Sequence, residues 1–518
     1  MHRLRFPLSH SGGGGLGRGT GRLFLGVLLI ALGGCKNEPV AQRPLEASVW
    51  YWHSPFDGIE DLGIKQIFVR AATITCEEGH LLVPRIQDFR EVPKLPTTLV
   101  INLEASVVSQ LSGLREEDIA AKVAEVYGSM KAKVVGKGGE VLGLQVDFDS
   151  PTSKLPQYEE ILRGLRERIQ PDDLSITALP TWLSSKEFNE VAKQVDYFVP
   201  QFYEGRLGKT LDDPGPISDL EGLRRGLMQA DKVGVPYWAG IAGYGHAALY
   251  DSRGHLVGTY KELSPTEALA HPDLKLEDVY PADARMKPAT ASSWIGEDVL
   301  RFRAIRPDAR GRGLGHTILY KVPSGALLSQ QIAIVQAHRS SSLRGFIAFR
   351  YPQPMEQLAL PAATLRDAFA GSKLAAKLEV KMETTRRPFG LIENPRDGKA
   401  ANAVTIRITN VGNESTATAP RAIVLRLATT VPGIEVSDRS SFPCRLFDDS
   451  GLRAGPGRAR LAEFTIPRLG PGQSAVLGPI VVSGEPNTVS THLDWSEPGG
   501  FVRRSLVDGV PDTARPRD

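Results

Sequence analysis

The feature that most constrains the fold is a repeated alternation of strand-like and helix-like segments. Between several of the strand-like runs, apolar residues fall on one helical face, as Ile119, Val123 and Val126 do. Repeated alternation of this kind favours a closed (β/α)8 TIM barrel of the α/β class over an open doubly wound sheet. The eight strand-like runs are residues 49–53, 66–73, 98–104, 142–149, 174–182, 197–204, 236–244 and 344–351.

The connection before the eighth strand is unusually long. Residues 245–323 lie between the seventh strand-like run and a helical pattern at residues 327–336, and an ordinary βα loop is far shorter. The segment contains one hairpin pattern at residues 248–257 and a second that joins residues 300–305 to 316–322. We therefore predict a long insertion between strands seven and eight that overhangs the mouth of the barrel.

The barrel pattern covers residues 47–371 and then changes. Residues 372–510 contain strand-like runs separated by Gly-, Asn- and Pro-rich turns, without helical periodicity. This pattern predicts a C-terminal β-sandwich of the immunoglobulin-like kind. Residues 511–518 are expected to form a disordered tail.

Residues 1–34 have the pattern of a signal peptide. A basic, Gly-rich stretch is followed by an apolar run at residues 23–32, which is too short to cross a bilayer of about 30 Å as a helix. Leu32-Gly-Gly-Cys35 resembles the bacterial lipobox. The resemblance implies that Cys35 becomes the lipidated N-terminus, followed by a linker at residues 35–46. Because Lys36 follows the cysteine, it also implies an outer-membrane anchor, with the chain facing the periplasm or the cell surface.

Charge and cysteine content exclude some classes of function. The 62 Lys and Arg nearly balance the 59 Asp and Glu, and four of the arginines lie in the leader, so no basic surface for nucleic acid is expected. Neither a Cys-x-x-Cys nor a His-Glu-x-x-His motif occurs, so we expect no metal and no organic cofactor. Cys76 and Cys444 either form one disulfide or remain two buried thiols, and their distance in sequence favours thiols.

Two carboxylates end the fourth strand-like run. Strand alternation places Gln145, Asp147 and Asp149 on one face, with the carboxylates about 6.6 Å apart along an extended strand. Like charges this close separate their proton affinities, so that one carboxyl can donate a proton near neutral pH. The pattern predicts an acid/base pair. The alternative is that Asp149 caps the following turn and Asp147 satisfies backbone amides.

Other strand ends carry carboxylates, amides and aromatic rings, which suit a carbohydrate because rings pack on sugar C–H surfaces while polar groups bind hydroxyls. The alternative is that each ring packs in the core. The predicted catalytic carboxylates are Asp149 and Asp147, with Glu104 and Glu204 as further candidates for base or nucleophile. The predicted substrate-binding residues are Gln145, Gln201, Tyr203, Trp52, Trp182, Trp238 and Arg350.

Two motifs carry a family resemblance. Residues 142–149 resemble the Asp-Gly-x-Asp-x-Asp-x-Glu signature of glycoside hydrolase family 18, and residues 201–204 resemble its Met-x-Tyr-Asp motif. The resemblance implies that Asp147 orients a substrate acetamido group, that Asp149 takes the place of the proton-donating glutamate, and that Tyr203 binds the acetamido oxygen. Here Gln145 replaces a family aspartate. Most of residues 48–370 also resemble a bacterial family known only as domain of unknown function 3142.

These observations predict an envelope-anchored, glycoside hydrolase-like protein that acts on a glycan by carboxylate acid/base chemistry. Its expected partners are a glycan or polysaccharide and, through the lipid anchor, a membrane. The alternative is a non-catalytic lipoprotein that binds a glycan or has a structural role in the envelope.

Overall fold

The computed structural model describes residues 45–53, 55–203, 208–280, 297–307, 313–386, 401–436, 441–483, 489–498 and 503–508. Its first part is a closed barrel of eight parallel strands, as the alternation predicted. The barrel closes because the first strand pairs with the second on one edge and with the last on the other. The eight strands are β1 (Glu46–Tyr51), β2 (Ile67–Glu77), β4 (Thr97–Leu103), β5 (Val141–Asp147), β6 (Asp173–Ala178), β7 (Tyr197–Pro200), β8 (Tyr237–Ala242) and β14 (Leu343–Phe349).

One extra strand extends the rim of the barrel. Strand β3 (His80–Ile86) forms an antiparallel hairpin with the later part of β2. Strand β4 pairs with one edge of β2 along its length. On the other edge, β1 pairs with the first part of β2 and β3 pairs with its later part. The hairpin therefore rises above the end of β1.

Helices cover the outside of the barrel because each has one apolar face. In α3, the buried residues Tyr158, Ile161 and Leu165 recur at helical spacing and join the large core between strands and helices. The helices around the barrel are α1 (Ala105–Gln110), α2 (Glu116–Val135), α3 (Leu155–Ile169), α4 (Lys186–Lys193), α5 (Leu220–Val233), α7 (Gly325–Ala337) and α8 (Ala362–Phe369).

The predicted insertion between the seventh and eighth barrel strands is a separate five-stranded antiparallel sheet with one short helix, α6 (Pro265–Ala270). It has its own small apolar core around Leu300, Phe302 and Tyr320. Both predicted hairpin pairings occur in it. Its strands are β9 (His246–Tyr250), β10 (Leu256–Tyr260), β11 (Leu274–Tyr280), β12 (Glu297–Ala304) and β13 (Thr317–Pro323).

The C-terminal part consists of two antiparallel sheets that pack on a shared apolar core, consistent with a β-sandwich. Residues such as Ile406 in one sheet and Leu425 in the other are fully buried in that core. The first sheet contains β15 (Leu378–Arg386), β16 (Ala401–Asn410), β18 (Ile434–Val436) and β21 (Ser474–Ser483). The second contains β17 (Ile423–Thr429), β19 (Cys444–Phe447), β20 (Leu461–Ile466), β22 (Val489–Ser496) and β23 (Arg503–Asp508).

Buried polar contacts join this C-terminal part to the barrel. Glu414 is buried, and its carboxylate accepts a hydrogen bond of 2.6 Å from the backbone N–H of Gly325, the first residue of α7. This N–H donor favours the ionised carboxylate, because the first N–H groups of a helix have no intrahelical partner, whereas burial opposes it. Arg468 donates to the backbone oxygen of Gln357 at 2.9 Å, and its charge acts on Glu414.

Cys76 is buried in the barrel and Cys444 is half-buried in β19, and neither forms a disulfide. In the part of the chain that the structure describes, no helix is long and apolar enough to cross a membrane. The signal peptide, Cys35, most of the linker and the tail at residues 511–518 lie outside the described residues.

Candidate active site

The inside of the barrel changes from apolar to polar toward the mouth. Side chains alternate between the two faces of a strand, so residues two apart share a face. The lower layer is mostly aromatic and aliphatic, as at Phe68, Val100 and Val199, with the buried polar residues Gln145 on β5 and Ser175 on β6. Two residues further along the same strands, the inward positions are polar. This upper layer is Arg70, Asn102, Asp147, Thr177 and Gln201.

Asp147, the last residue of β5, is the centre of this polar layer. Thr177 Oγ1 donates a hydrogen bond of 2.8 Å to Oδ1 of Asp147. Asn102 Nδ2 donates one of 2.9 Å to Oδ2. The two donors come from β6 and β4, the neighbours of β5 on either side, so register alone brings them to the carboxylate.

Burial raises the pKa of the Asp147 carboxyl, because a charged group loses hydration there. The two hydrogen bonds and the charge of Arg70 act in the opposite direction. Asp147 is thus a buried carboxylate whose two oxygens are already bonded to protein donors.

Asp149 lies two residues beyond the end of β5. The sequence placed it on the strand, but the chain turns at this point, since the Ser150 N–H bonds the Phe148 carbonyl oxygen and Pro151 follows. The spacing expected for an extended strand therefore does not apply. Asp149 is exposed to solvent, and Gln201 Nε2 donates a hydrogen bond of 3.3 Å to its Oδ1.

The walls of the mouth enclose the Asp149 carboxyl although its surface reaches water. Partial loss of hydration, reinforced by the negative charge of Asp147, raises the pKa of Asp149 to about 6. The hydrogen bond from Gln201 acts in the opposite direction because it favours the ionised form. Near neutral pH, this group is therefore able both to hold and to release a proton.

A cluster of aromatic rings packs next to the polar layer. Tyr203 is buried and stacks on Phe349, with ring centroids 5.2 Å apart, while Trp50 packs edge-on against both rings. Trp52, two residues after Trp50, is half-buried at the mouth and packs edge-on against Phe349 at 4.8 Å. Of the predicted aromatic contacts, Trp52 therefore reaches the mouth, whereas Tyr203 is buried in the aromatic cluster.

Arginines lie on the β14, β1 and β2 side of the mouth. The guanidinium carbon of Arg70 lies 4.4 Å from the ring centroid of Trp52, and Nη2 donates a hydrogen bond of 3.3 Å to the Trp52 carbonyl oxygen. Arg350, which directly follows β14, forms a two-pronged ion pair with Glu356. Arg350 is therefore near the mouth, but its charge is already matched.

Three predicted contact residues are not accessible from the mouth. Trp238 is the second residue of β8. It therefore lies near the N-terminal end of its strand, away from the mouth. Trp182 is fully buried in a short 3-10 helix after β6, where its indole N–H bonds the Ser150 carbonyl oxygen. Gln145 is also buried, one layer below Asp147, and accepts a hydrogen bond of 2.7 Å from Trp50 Nε1.

The two further predicted carboxylates are Glu104 and Glu204. Glu104 directly follows β4, is exposed and begins α1, and its negative charge acts on Arg70. Glu204 lies outside the described residues. Among the residues that are described, no group of three or more His, Cys, Asp or Glu could hold a metal ion.

Sequence reasoning missed Asn102, Thr177 and Arg70. Each is a polar residue on the inward face of an otherwise apolar strand, two positions after a buried residue. A polar residue within an apolar run is visible in the sequence. It indicates a site residue only once the inward face of each strand is known.

The architecture defines a closed α/β barrel with a carboxylate pair at the C-terminal face, where enzymes of this fold have their active sites. Residues 95–257 match the family model described as "Domain of unknown function (DUF3142)", a shorter region than the resemblance had indicated. No curated protein matches the chain.

Several solved structures resemble the chain at low sequence identity. The spore cortex-lytic enzyme SleL of Bacillus megaterium QM B1551 is 14% identical, with 64% of this chain and 74% of that one covered and a TM-score of 0.39. A chitinase from Bacteroides thetaiotaomicron is 11% identical, with 63% and 96% covered and a TM-score of 0.38. The family 18 chitinase ChiB of Flavobacterium johnsoniae is 11% identical, with 64% and 95% covered and a TM-score of 0.37. Similarity this distant assigns no function to the chain.

Proposed function

We propose that the chain is a glycoside hydrolase in which Asp149 protonates the departing glycosidic oxygen. The observation that carries the proposal is the pair of carboxylates at the barrel mouth, one buried and fully bonded, the other solvent-reachable with a pKa of about 6. A general acid is most effective when its pKa lies near the working pH. Asp149 meets that condition because of the charge beside it and its partial enclosure.

Asp147 has a different role in this proposal. Its oxygens accept hydrogen bonds from Thr177 and Asn102, so it is held in place and does not need to react. Its negative charge raises the pKa of Asp149 and stabilises the positive charge that develops on the sugar as the glycosidic bond breaks. Water then adds to the anomeric carbon, and its proton returns to Asp149.

Gln201 positions the acid through its hydrogen bond to Asp149. Trp52 offers a half-buried ring at the same mouth, on which a sugar face can pack. The substrate in this proposal is a glycan, and no cofactor takes part in the steps described.

We further propose that the enzyme is anchored in the bacterial envelope through Cys35, as the lipobox resemblance implies. Radiolabelled palmitate should be incorporated into the full chain and not into Cys35→Ser. The wild-type chain should remain with the membrane fraction after a high-salt wash. Incorporation by both chains, or by neither, would contradict the anchor.

A non-catalytic glycan-binding protein is the second candidate. The burial of Tyr203, which stacks on Phe349 instead of facing the open mouth, favours it. Such a protein would bind an oligosaccharide with equal affinity before and after long incubation and release no reducing ends.

The test is a screen of the leader-free chain against envelope and environmental polysaccharides, with Asp149→Asn as the matched variant. We expect at least one polysaccharide to be hydrolysed by the wild type and bound without hydrolysis by Asp149→Asn. Equal turnover by the two chains would eliminate the assignment of Asp149. Binding without turnover by both would support the second candidate.

A further inference from the structure

The mouth of the barrel has a positive side as well as a negative one. Following the strand order around the barrel, Asp147 and Asp149 lie over β5, whereas three arginines lie over β14, β1 and β2. Arg350 follows β14, Arg70 is on β2, and Arg85 is on β3, the strand that rises above the end of β1.

Strand pairing connects Arg85 to the carboxylate site. Arg85 pairs with Thr73 of β2, Thr73 pairs with Asn102 of β4, and Asn102 pairs with Asp147 of β5. The arginines and the proposed acid/base pair therefore belong to the same rim, where β4 lies between β2 and β5.

Arg70 is the least satisfied of these cations. Its guanidinium is half-buried over Trp52, and its one hydrogen bond to a described residue goes to the Trp52 carbonyl oxygen. No described residue forms an ion pair with Arg70 or with Arg85. A guanidinium carries five N–H donors in a rigid fork, so most of the donors of Arg70 are left for another partner.

The surroundings oppose the charge of Arg70. Burial, together with the positive charges of Arg85 and Arg350, lowers the pKa of Arg70 to about 10. Asp147 and Glu104 act in the other direction, but Asp147 has both oxygens bonded to Asn102 and Thr177. A desolvated cation beside two like charges is a site that an anion completes.

We propose that Arg70, flanked by Arg85 and Arg350, binds an anionic substituent of the glycan, a sugar carboxylate or a sulfate ester, while the glycosidic bond lies at Asp149. The inference rests on the proposed function and narrows its substrate to acidic glycans. Arg70 would bind the anion through its free N–H donors. Arg350, already paired with Glu356, would contribute only a longer-range electrostatic attraction to the anion.

The experiment measures binding, so it does not depend on turnover. Calorimetric titrations of the leader-free Asp149→Asn chain use matched charged and neutral oligosaccharides. Oligogalacturonate is compared with its methyl ester, muramic-acid-containing glycan strands with their carboxyl-reduced form, and a keratan sulfate oligosaccharide with its desulfated form. The first two pairs distinguish two sources of carboxylate, and the third tests sulfate.

We expect one charged ligand to bind more tightly than its neutral counterpart, and Arg70→Met to weaken that binding about tenfold to a hundredfold. Binding of the neutral counterpart should be unchanged, and Arg70→Lys should restore part of the preference. The matched control is Arg344→Met, because Arg344 also lies over an aromatic ring, that of Tyr197 at 5.0 Å, but near the start of β14.

If Arg70→Met does not fold, Arg85→Gln keeps the test available, since Arg85 is exposed on a hairpin strand. It should reduce the preference and its dependence on salt. Equal affinity for charged and neutral partners, or a preference that survives both Arg70→Met and Arg85→Gln, would overturn this inference while leaving the hydrolase proposal intact. Binding of no oligosaccharide by any variant would overturn both.

Discussion

The side-chain amide of Gln201 donates a hydrogen bond of 3.3 Å to Oδ1 of Asp149, joining the end of β7 to the turn after β5. This contact links two residues that lie 52 positions apart in the chain. It sets the orientation of the proposed acid and, because an N–H donor favours the ionised carboxylate, it also limits how far the pKa of Asp149 rises.

Replacing Gln201 should therefore shift the pH profile of hydrolysis. In the wild type, kcat/KM should fall as the pH rises through about 6, where Asp149 loses the proton that it must donate. Gln201→Leu removes a donor to the ionised form, so the pKa should rise and the falling limb should move to higher pH. Gln194→Leu, a half-buried glutamine just after α4 on the outside of the barrel, is the control. If the falling limb lies at the same pH in Gln201→Leu as in the wild type, Gln201 does not influence the pKa of the acid.

Thr177→Val tests the support of Asp147. The change keeps the shape of the side chain but removes a hydrogen bond of 2.8 Å to a buried carboxylate. We expect kcat/KM to fall about tenfold to a hundredfold and the free energy of unfolding to fall by about 1 to 3 kcal/mol.

Ser175→Ala is the matched control for Thr177→Val. Ser175 lies one inward position earlier on β6, and its hydroxyl bonds the Leu144 carbonyl oxygen at 3.2 Å, away from both carboxylates. Chemical denaturation and steady-state kinetics measure both variants. Equal losses of activity in the two would show that Thr177 acts only through packing.

The alternation of strands and helices predicted the barrel because buried parallel strands form near-continuous apolar runs in the sequence. All eight runs correspond to barrel strands, although their ends differ by a few residues. These differences at the strand ends changed which residues lie at the candidate site. The strand that was expected to include Asp149 ends at Asp147. Trp238, which the sequence placed at the C-terminal end of a strand, is the second residue of β8.

Why the rest could not be predicted follows from the same geometry. Asn102 and Thr177 become partners of Asp147 only through the pairing of β4, β5 and β6, which a single sequence does not reveal. The strands β18 and β19 have only three and four residues, too few for an alternating pattern to be recognised in the sequence. Arg70 was hidden inside an apolar run, where its inward direction depends on the barrel being closed.

Stability should depend on pH through Glu414. Burial raises the pKa of this carboxyl from 4.5 to about 7 in the folded chain. Between these values the folded state holds a proton that the unfolded state has lost, so stability falls as the pH rises from 5 to 8. The expected loss is about 3 kcal/mol.

Glu414→Gln should remove this part of the pH dependence, because the amide does not ionise. Denaturation of the wild-type and variant chains at several pH values between 5 and 8 measures the difference. Asp367→Asn is a control, since Asp367 lies near the same junction but its pKa is lowered, not raised. Parallel stability curves for wild type and Glu414→Gln would contradict the expected titration.

Both cysteines after Cys35 should behave as thiols. The structure holds Cys76 in the barrel and Cys444 in the C-terminal sheets without a disulfide. The denatured chain without residues 1–35 should react with two equivalents of a thiol reagent without prior reduction, and a reductant should not change its melting temperature. In the folded chain, half-buried Cys444 should react before buried Cys76. Absence of thiol reactivity before reduction would indicate that the two residues pair.

The most direct test of Asp149 as the proton donor is the dependence of turnover on the leaving group. In a 2,4-dinitrophenyl glycoside of the hydrolysed sugar, the dinitrophenolate leaving group departs without protonation. The natural sugar leaving group requires a proton. Asp149→Asn should lose nearly all hydrolysis of the natural oligosaccharide and keep most of its bond-breaking rate on the dinitrophenyl glycoside. Equal loss on both substrates, or no loss on the natural one, would contradict the assignment.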